Sequence, residues 1–418
     1  MKQQIILLKD EIYKGDNAQK ICDLIIASAV EVGSSDIHIE PLSNVVRVRF
    51  RIDGVLKEVV EYQLFIHPQI IARYKILSNL KIDESRMPQD GRISTIINEK
   101  SLDLRISTLP TVSGEKIVMR IVDKSKKVPP LEVLGIEGKN GKVLEKALYQ
   151  PNGIILTSGP TGSGKSTTLY SCLSKLNTPD VNIMTLEDPV ENVIDGVNQS
   201  QVFPDIGYSF ASGLRTALRQ DPDIIMVGEI RDKETINIGI EASLTGHLVL
   251  STIHTNSAAE TLTRILNMGV QAFLLPASIN AIMAQRLIRR LCPHCKKAIK
   301  IEELKPDLRS QVTKSIKKIG REEIMSRVSS KILETPAFYE PVGCDKCDNT
   351  GYAGRVGIYE VMEITPIIKD FIIKGESSVA INDAAINGGM ISLEMDGIMK
   401  ALNGTTSLEE VYAAVKND

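Results

Sequence analysis

A phosphate-binding loop is the clearest chemical feature of this sequence. Residues 159–166 fit the pattern G-x-x-x-x-G-K-[ST], after a short apolar run and before a helix-forming run. Glycines let the backbone turn its N–H groups toward phosphate oxygens, and the start of the following helix adds a positive dipole end. Lys165 is expected to reach the β- and γ-phosphates, and the Ser166 hydroxyl to bind Mg²⁺. The residues expected to contact a nucleotide are Gly159, Pro160, Thr161, Gly162, Ser163, Gly164, Lys165, Ser166 and Thr167.

Two acidic groups follow apolar runs further along the chain. Glu229 comes after residues 224–228, and a carboxylate at such a strand end is how a phosphate-loop protein holds Mg²⁺ and polarises water. The Asp expected at this strand end is replaced by Gly228 followed by Glu229. Residues 187–191 contain three carboxylates, which can supply a base, a metal contact or an orienting group. An ordinary acidic loop is the alternative for this second group.

Two of the five histidines flank one apolar run, with His247 before it and His254 after it. A histidine at a strand end can sense the γ-phosphate or hydrogen-bond a neighbouring carboxylate. Two purely structural histidines are the alternative interpretation.

Four of the six cysteines form two Cys-x-x-Cys pairs, namely Cys292, Cys295, Cys344 and Cys347. Four thiolates are the ligand set of a tetrahedral structural zinc. The 48 residues between the pairs exceed the usual spacing of about 15–20, so the insert must fold back as a hairpin. Redox pairs are the alternative, and His294 is not needed because four cysteines fill the tetrahedron. Cys22 and Cys172 lie in apolar helical patterns, which predicts that they are buried and inert.

Arginines that recur near acidic or turn positions are a further group of candidates. A cation at the γ-phosphate favours phosphoryl transfer. Residue types alone do not single out one arginine, and a solvated surface position is the alternative for each. The candidates are Arg92, Arg105, Arg120, Arg215, Arg219 and Arg355.

The elements that position these residues follow from the apolar pattern. Apolar runs that read as strands alternate with helical patterns from about residue 131, which is typical of an α/β domain. These runs are 153–157, 182–186, 224–227 and 248–252. Residues 17–125 instead read as a helix followed by several strands, an α+β unit. After residue 291 a Lys/Glu-rich insert precedes a mostly helical tail.

Composition narrows the class of protein. The chain has 418 residues, of which 43% are apolar and 24% charged, so two to four domains with their own cores are expected. A net charge of −2 argues against a dedicated duplex-DNA binder. The sequence contains neither a signal-peptide core nor an apolar run of about 20 residues, so a cytosolic chain without membrane spans is expected.

Further strings make the sequence resemble the secretion ATPase superfamily, in its type II secretion and type IV pilus assembly branch. The phosphate loop, the acidic box, the Gly228-Glu229 strand end and the histidine box occur in the family's order. The other matching strings lie at 35–41, 51–56, 88–92, 103–108, 114–120 and, after the second cysteine pair, 354–360.

The resemblance implies an α/β fold, in which a RecA-like P-loop ATPase domain follows an α+β, PAS-like lead-in domain. A zinc-binding insert and a helical C-terminal region complete it. The expected boundaries are an N-terminal tail at 1–16, the lead-in domain at 17–125, a linker at 126–133, the RecA-like domain at 134–290, the tetracysteine insert at 291–355 and the helical domain at 356–418. Members of this branch usually carry a further N-terminal domain, which the roughly 16 residues before the lead-in domain cannot supply.

The resemblance also implies roles for particular residues. Lys165 and Ser166 would bind phosphate and Mg²⁺, Glu229 would complete the metal and water shell, and Glu191 would orient the attacking water. His254 would communicate the nucleotide state. Four arginines would act at the nucleotide, Arg105 and Arg120 at the γ-phosphate from the lead-in domain, and Arg215 and Arg219 from the RecA-like side. The implied cofactors are ATP, Mg²⁺ and Zn²⁺.

The function that the resemblance implies is a cytoplasmic, homohexameric ATPase at the inner face of the membrane. It would drive assembly of type IV pili or type II secretion pseudopili through an inner-membrane platform protein, with no nucleic acid involved and membrane contact only through partners. The alternatives are a pilus retraction ATPase, which typically lacks the cysteine insert, and a conjugation-type translocation ATPase. A catalytically inactive, zinc-bearing scaffold is a third, which the intact Lys165, Ser166, Glu191 and Glu229 disfavour.

Overall fold

A computed structural model describes residues 2–15, 17–125, 127–328 and 337–416. The chain forms two compact units, Met1–Lys127 and Val128–Asp418. No helix in these described ranges is long and apolar enough to cross a membrane.

The first unit is an antiparallel sheet with helices on one face. Its helices are α1 Gln3–Lys14, α2 Ala18–Glu31 and α3 His67–Leu77. Its strands are β1 Asp36–Pro41, β2 Val45–Ile52, β3 Val55–Gln63, β4 Gln89–Ile97, β5 Lys100–Thr111 and β6 Gly114–Asp123. The six strands lie in the order β3-β2-β1-β6-β5-β4, and all neighbours are antiparallel.

Alternation along the strands decides which face is buried. In β2, Val46, Val48 and Phe50 belong to the core that also contains residues of α2 and α3, while the arginines between them point to the opposite face. The predicted α+β character of this part of the chain is therefore confirmed. Asn17 begins α2 by accepting the Lys20 N–H on its side chain at 3.0 Å.

The expected N-terminal tail is instead partly helical. Residues Gln3–Lys14 form α1, and Leu8 is fully buried in the core of the first unit. The apolar run that begins at Ile5 was too short to predict a helix by itself. Burial of Leu8 and an ion pair between Glu11 and Lys20 at 3.0 Å fix α1 against α2.

The second unit is built on a seven-stranded sheet. Its first six helices are α4 Gly138–Leu148, α5 Lys165–Leu176, α6 Phe210–Ala217, α7 Lys233–Leu244, α8 Ala258–Asn267 and α9 Leu275–Ser278. The sheet strands are β7 Gly153–Ser158, β8 Ile183–Glu187, β9 Asn198–Gln201, β10 Ile224–Val227, β11 Leu248–Ile253, β12 Ile279–Leu291 and β15 Tyr352–Glu363. Their order is β15-β12-β7-β11-β10-β8-β9, parallel throughout except for the β12–β15 pair. This confirms the predicted α/β domain.

The insert between the cysteine pairs folds back as a hairpin, which is what a single site formed by both pairs requires. Strand β13, Lys297–Lys300, pairs antiparallel with β14, Ala337–Glu340. Between them lie α10 Pro306–Lys318 and α11 Arg321–Arg327. The last four helices are α12 Pro366–Lys374, α13 Ser378–Asn387, α14 Leu393–Leu402 and α15 Leu408–Val415. Short 3₁₀ turns occur at Leu64–Ile66, Leu131–Leu134, Pro204–Ile206, Ala272–Leu274, Ile301–Glu303 and Asp345–Cys347.

The predicted helical C-terminal domain does not begin as a helix. Strand β15 runs across the expected boundary at 355/356 and is an edge strand of the large sheet. Residues 357–362 are buried on both faces of that sheet, so their place is decided by packing against β12. The other boundaries within the second unit stay predictions.

A buried ion cluster fastens the insert to the C-terminal helices. Asp396 of α14 is fully buried and accepts Arg327 Nη2 of α11 at 2.6 Å. Its other oxygen accepts Lys400 Nζ at 2.8 Å and the Tyr359 N–H of β15 at 2.9 Å. One carboxylate thus joins the insert, a helix and a sheet strand.

Candidate functional site

The strand order brings the predicted chemical groups to one edge of the large sheet. Strands β7, β11, β10 and β8 are consecutive and parallel, so the segments after their carboxyl ends meet at the same edge. These segments are the phosphate loop, His254, the Gly228-Glu229 pair and the acidic box at 187–191.

The phosphate loop has the backbone that its glycines predict. Gly159, Gly162 and Gly164 all have positive φ, at 144°, 80° and 91°. Gly164 in the left-handed region begins α5, so the free N–H groups of the first helical turn face the loop. Ser166 and Thr167 are exposed at this helix start, where a ligand can reach their hydroxyls.

Lys165 is held by the loop itself. Its Nζ donates to the carbonyl oxygens of Gly159 at 2.8 Å and Pro160 at 3.1 Å. Burial lowers the pKa of Lys165 to about 8; the negative charge of Glu229 opposes this shift and the positive charge of Arg286 adds to it. Lys165 is therefore a charged donor whose proton is unusually easy to remove.

Glu229 is held between two cationic or potentially cationic groups. Its carboxylate accepts Arg231 Nη2 at 2.5 Å and lies 3.3 Å from His254 Nε2. The backbone around it is fixed by both neighbouring strands, since the Gly228 N–H donates to Leu186 O at 2.7 Å and the Ile230 N–H to Thr252 O at 2.9 Å. His254 of the histidine box therefore lies within ion-pair distance of the strand-end carboxylate.

The acidic box divides into residues with different surroundings. Glu187 is buried and accepts hydrogen bonds from Tyr170 of α5, from Thr185 at 2.5 Å and from Gln199 at 3.0 Å, which is a packing role. The Glu191 N–H donates to the same Tyr170 hydroxyl at 3.1 Å. Tyr170 therefore ties the acidic box to the helix that begins with Lys165.

The two histidines that the sequence groups together lie at opposite ends of β11. His254 follows the strand at the phosphate-loop edge, whereas His247 precedes it. His247 Nδ1 lies 3.0 Å from Ala242 O, and its own carbonyl accepts the Gly153 N–H at the start of β7. Only His254 is placed to act at the site.

Two candidate arginines of the second unit lie on and just after α6, whereas Arg355 is exposed on β15, opposite Arg289 of β12. Arg215 forms an ion pair with Glu234 of α7, and Arg219 Nη1 donates to Arg215 O at 2.9 Å. Both side chains are exposed. Their role at the nucleotide stays a prediction.

The candidate arginines of the first unit form a row across its sheet. Arg92, Arg105 and Arg120 are register partners on β4, β5 and β6, and Arg120 Nε donates to Asp36 Oδ1 at 3.0 Å. All four residues line an open groove of about 440 Å³ in this unit. The lining combines these three arginines with the carboxylates of Asp36 and Asp90, and the function of Arg105 and Arg120 stays a prediction.

Two residues of β12 that the sequence analysis missed lie at the phosphate loop. The buried Gln285 donates from Nε2 to Ser163 O at 2.7 Å. The buried Arg286 donates from Nη2 to Asn256 O at 3.1 Å, in the segment just after His254. The available signal was a Gln-Arg pair inside an otherwise apolar run, which indicates polar side chains with a specific buried partner.

The four predicted cysteines converge as a candidate metal centre. Their ligand atoms all lie within 4.8 Å of one another. The Sγ separations are 3.9 Å for Cys292–Cys344 and 3.8 Å for both Cys295–Cys347 and Cys344–Cys347. Four sulfurs placed tetrahedrally at about 2.3 Å from zinc would be about 3.8 Å apart, so the thiols fit this ion. These distances also exclude disulfide bonds, whose sulfurs are about 2.05 Å apart.

The surroundings of Cys347 favour its thiolate. Burial opposes the charged form, but hydrogen bonds from the N–H groups of Cys344 and Gly351, together with its thiol neighbours, lower the pKa of Cys347 to about 6. N–H donors on a ligand sulfur are a common outer shell of structural metal sites. His294 is exposed, and Cys22 and Cys172 are buried, as predicted.

Comparisons with known proteins agree with this arrangement of groups. The family described as Type II/IV secretion system protein matches residues 14–413. The type IV pilus assembly ATPase PilB of Pseudomonas aeruginosa is 48% identical over 98% of this chain and 70% of its own length. Type II secretion system protein E of Dickeya dadantii is 42% identical over 98% of this chain and 78% of its own length.

A solved structure with bound nucleotide is also similar. The crystal structure of the pilus retraction motor PilT with bound ADP is 25% identical, with a TM-score of 0.59, over 93% of this chain and 95% of that chain. The phosphate loop and its sheet edge lie inside residues 14–413, which the family matches.

Proposed function

This chain belongs to the type II/IV secretion system protein family and is an ATPase of that family, and from this premise we propose that it is a motor for pilus or pseudopilus assembly. It would hydrolyse ATP to drive assembly of type IV pili or type II secretion pseudopili. The observation that carries the proposal is the single sheet edge at which the phosphate loop, Glu229 and His254 meet. Relatives at 48% and 42% identity, named as a pilus assembly ATPase and a type II secretion protein, support assembly of pili and of pseudopili, respectively.

Nucleotide binding would begin with an exchange of hydrogen bonds at Lys165. Its Nζ would leave the carbonyls of Gly159 and Pro160 and donate to the β- and γ-phosphate oxygens instead. The N–H groups at the start of α5 would bind the same phosphates, aided by the helix dipole. The loop thus holds its lysine charged and close to where the phosphates belong.

The oxygen donors at this edge fit a magnesium ion. The Ser166 hydroxyl is exposed beside the loop and the Glu229 carboxylate lies at the adjacent strand end, and hydroxyl and carboxylate oxygens are what Mg²⁺ prefers. When bound there, Mg²⁺ neutralises charge that develops on the phosphates. Glu229 would hold it, with Arg231 and His254 limiting the carboxylate to one orientation.

Water activation is proposed for Glu191. Its link to α5 through Tyr170 keeps the acidic box beside the helix that carries Lys165. His254 lies 3.3 Å from Glu229, so displacement of this histidine would follow changes at the phosphates. Arg105, Arg120, Arg215 and Arg219 are proposed as the cations that stabilise phosphate charge.

A structural zinc is proposed for the four cysteines. Its role would be to fix the insert on β12 and β15, because Cys292 directly follows β12 and the second pair precedes β15. The cysteine insert also favours assembly over retraction, since the resemblance assigns it to the assembly branch. We further propose a homohexamer that works in the cytoplasm at the inner membrane face, on a platform protein.

The proposal is tested with purified full-length chain carrying Lys165→Ala. We expect loss of ATP hydrolysis, because no other side chain of the loop can supply this charge, with zinc content and melting temperature unchanged. Lys175→Ala is the matched control, since Lys175 is a lysine of the same helix whose ion pair with Glu132 lies on the exposed surface. Hydrolysis at the wild-type rate by the Lys165 variant would overturn the assignment.

A further inference from the structure

Strand β12 extends beyond the end of β7, alongside the phosphate loop, while it stays paired with β15. Its last register pair with β7 is Ala284 opposite Ser158, so Gln285 is level with the first residue of the loop. The approach is close, because a Cβ placed on Gly159 would lie 2.5 Å from the Gln285 carbonyl oxygen. The loop is therefore packed directly against the backbone of this strand.

The Gln285 side chain makes a second contact, at the other end of the loop. Its Nε2 donates to Ser163 O at 2.7 Å and would lie 3.2 Å from a Cβ placed on Gly164. The residue is 1% exposed, and its Oε1 has no hydrogen-bond partner in the described part of the chain. The orientation of the amide is settled by chemistry, because a backbone carbonyl only accepts and so must face Nε2.

Because the peptide bond is planar, this contact also fixes the direction of the Gly164 N–H, a backbone donor. The Ser163 carbonyl and the Gly164 N–H belong to one planar trans peptide and point in opposite directions. Fixing the carbonyl toward Gln285 therefore directs the Gly164 N–H away from β12, toward the interior of the loop. Gly164 immediately precedes Lys165, so this N–H lies among the groups that would bind phosphate.

We propose that Gln285 is a positioning residue for nucleotide binding, which holds the Ser163–Gly164 peptide so that the Gly164 N–H faces the phosphates. This inference rests on the proposed ATPase function. Gln285 touches neither the nucleotide nor the reacting water, and it acts through the loop. Without its donor, the peptide is free to rotate and one phosphate contact is lost.

The test measures the dissociation constant of MgADP at equilibrium for Gln285→Glu and Gln285→Met in the full-length chain. Methionine has no donor at the Nε2 position, and an ionised glutamate has none either and would also repel the Ser163 carbonyl. We expect affinity to fall roughly ten- to hundredfold, the effect of losing one hydrogen bond to a charged group. The KM for ATP should rise by a similar factor, and kcat should change less, because the contact exists before and during the reaction.

The matched control lies on the same strand. Asn280 donates from its side-chain amide to Asn152 O at 2.9 Å, at the other end of β12 from the loop. Asn280→Asp removes the same kind of bond and should leave the MgADP affinity within about twofold of wild type. Hydrogen exchange of residues 159–168 with and without MgADP supplies a readout of the loop itself, where nucleotide should protect the wild type and protect the Gln285 variants less.

The outcomes separate the two proposals. If the wild-type chain does not bind MgADP, the proposed ATPase function fails. If wild type binds and both Gln285 variants bind equally well, only the role of Gln285 is refuted. Equal losses of affinity in the Gln285 and Asn280 variants would also refute it, because the effect would then be general destabilisation of β12. Gln285→Met alone decides the matter if Gln285→Glu does not fold.

Discussion

Lys165 has two states that pH can select, because its pKa is about 8 rather than the usual value near 10.5. Burial is the main cause, and it penalises the charged ammonium. At neutral pH the group is mostly protonated and able to bind phosphate. Above pH 8 the protein without nucleotide loses this charge over a range in which an ordinary lysine keeps it.

This shift predicts the pH dependence of stability in the protein without nucleotide. The folded chain binds fewer protons at Lys165 than the unfolded chain between about pH 8 and 10.5, so this residue makes stability rise with pH across that window. Urea unfolding of wild type and Lys165→Met at pH 7.5, 9 and 10 measures the difference. We expect wild type to gain stability relative to the variant as pH rises. A constant difference would contradict the shifted pKa.

At the scale of elements, the carboxylate of Asp396 is the most consequential single contact. It is fully buried between Arg327 and Lys400, two cations on different helices. A neutral amide in its place would remove the carboxylate that pairs with the buried Lys400, and would leave Arg327 with only its longer contacts to Glu137 at 3.5 Å and Glu323 at 3.6 Å. Breaking a buried ion cluster in this way typically costs about 3–5 kcal/mol.

We therefore predict that Asp396→Asn lowers the free energy of unfolding by about 3 kcal/mol or more. Chemical denaturation of the full chain measures it. Asp370→Asn is the matched control, because Asp370 pairs with Lys374 at 2.6 Å on the exposed surface of α12 and should change stability by less than about 0.5 kcal/mol. If both variants lost a similar free energy of unfolding, the buried ion cluster would contribute no more to stability than the exposed ion pair.

The sequence predicts four of the seven strands of the large sheet, but not β9, β12 or β15. Runs such as 153–157 and 248–252 are short and bounded by turn residues, so the sequence predicts them as strands. The segment from Ile279 to Leu291 has 13 residues, which is the length of a typical helix, and its polar residues do not alternate with apolar ones as in a half-buried strand. Gln285 therefore could not be assigned to the phosphate loop before the strand was placed.

The histidine and acidic boxes show a second limit of the same kind. Residues close in sequence are separated when a strand lies between them, and the six-residue β11 puts His247 and His254 about 20 Å apart. Conversely, Glu187 and Glu191 follow the same strand, yet the first is buried against Tyr170. The sequence spacing predicted the edge of the sheet at which the candidate site residues lie. Packing determined which of their side chains are buried and which face the site.

For the whole molecule, the four cysteines predict metal content. We expect about one zinc per chain by elemental analysis of the purified protein, because the sulfur separations of 3.8–3.9 Å suit one ion. Cys347→Ser should lose most of this zinc and lower the melting temperature of the second unit. Cys22→Ala is the control, since Cys22 is buried in the first unit and should leave zinc unchanged. A stable, metal-free wild type would contradict the interpretation.

The pairing of β13 with β14 has a practical consequence. Lys300 and Ala337 are register partners, so the chain enters and leaves the segment between them at one place. Ser310 and Gln311 of α10 are exposed within this insert. Cys22 and Cys172 are buried, and the other four thiols are proposed to bind one ion, so Ser310→Cys would supply the reactive thiol for a fluorophore. Turnover could then be followed one molecule at a time, from a dye carried outside the nucleotide site.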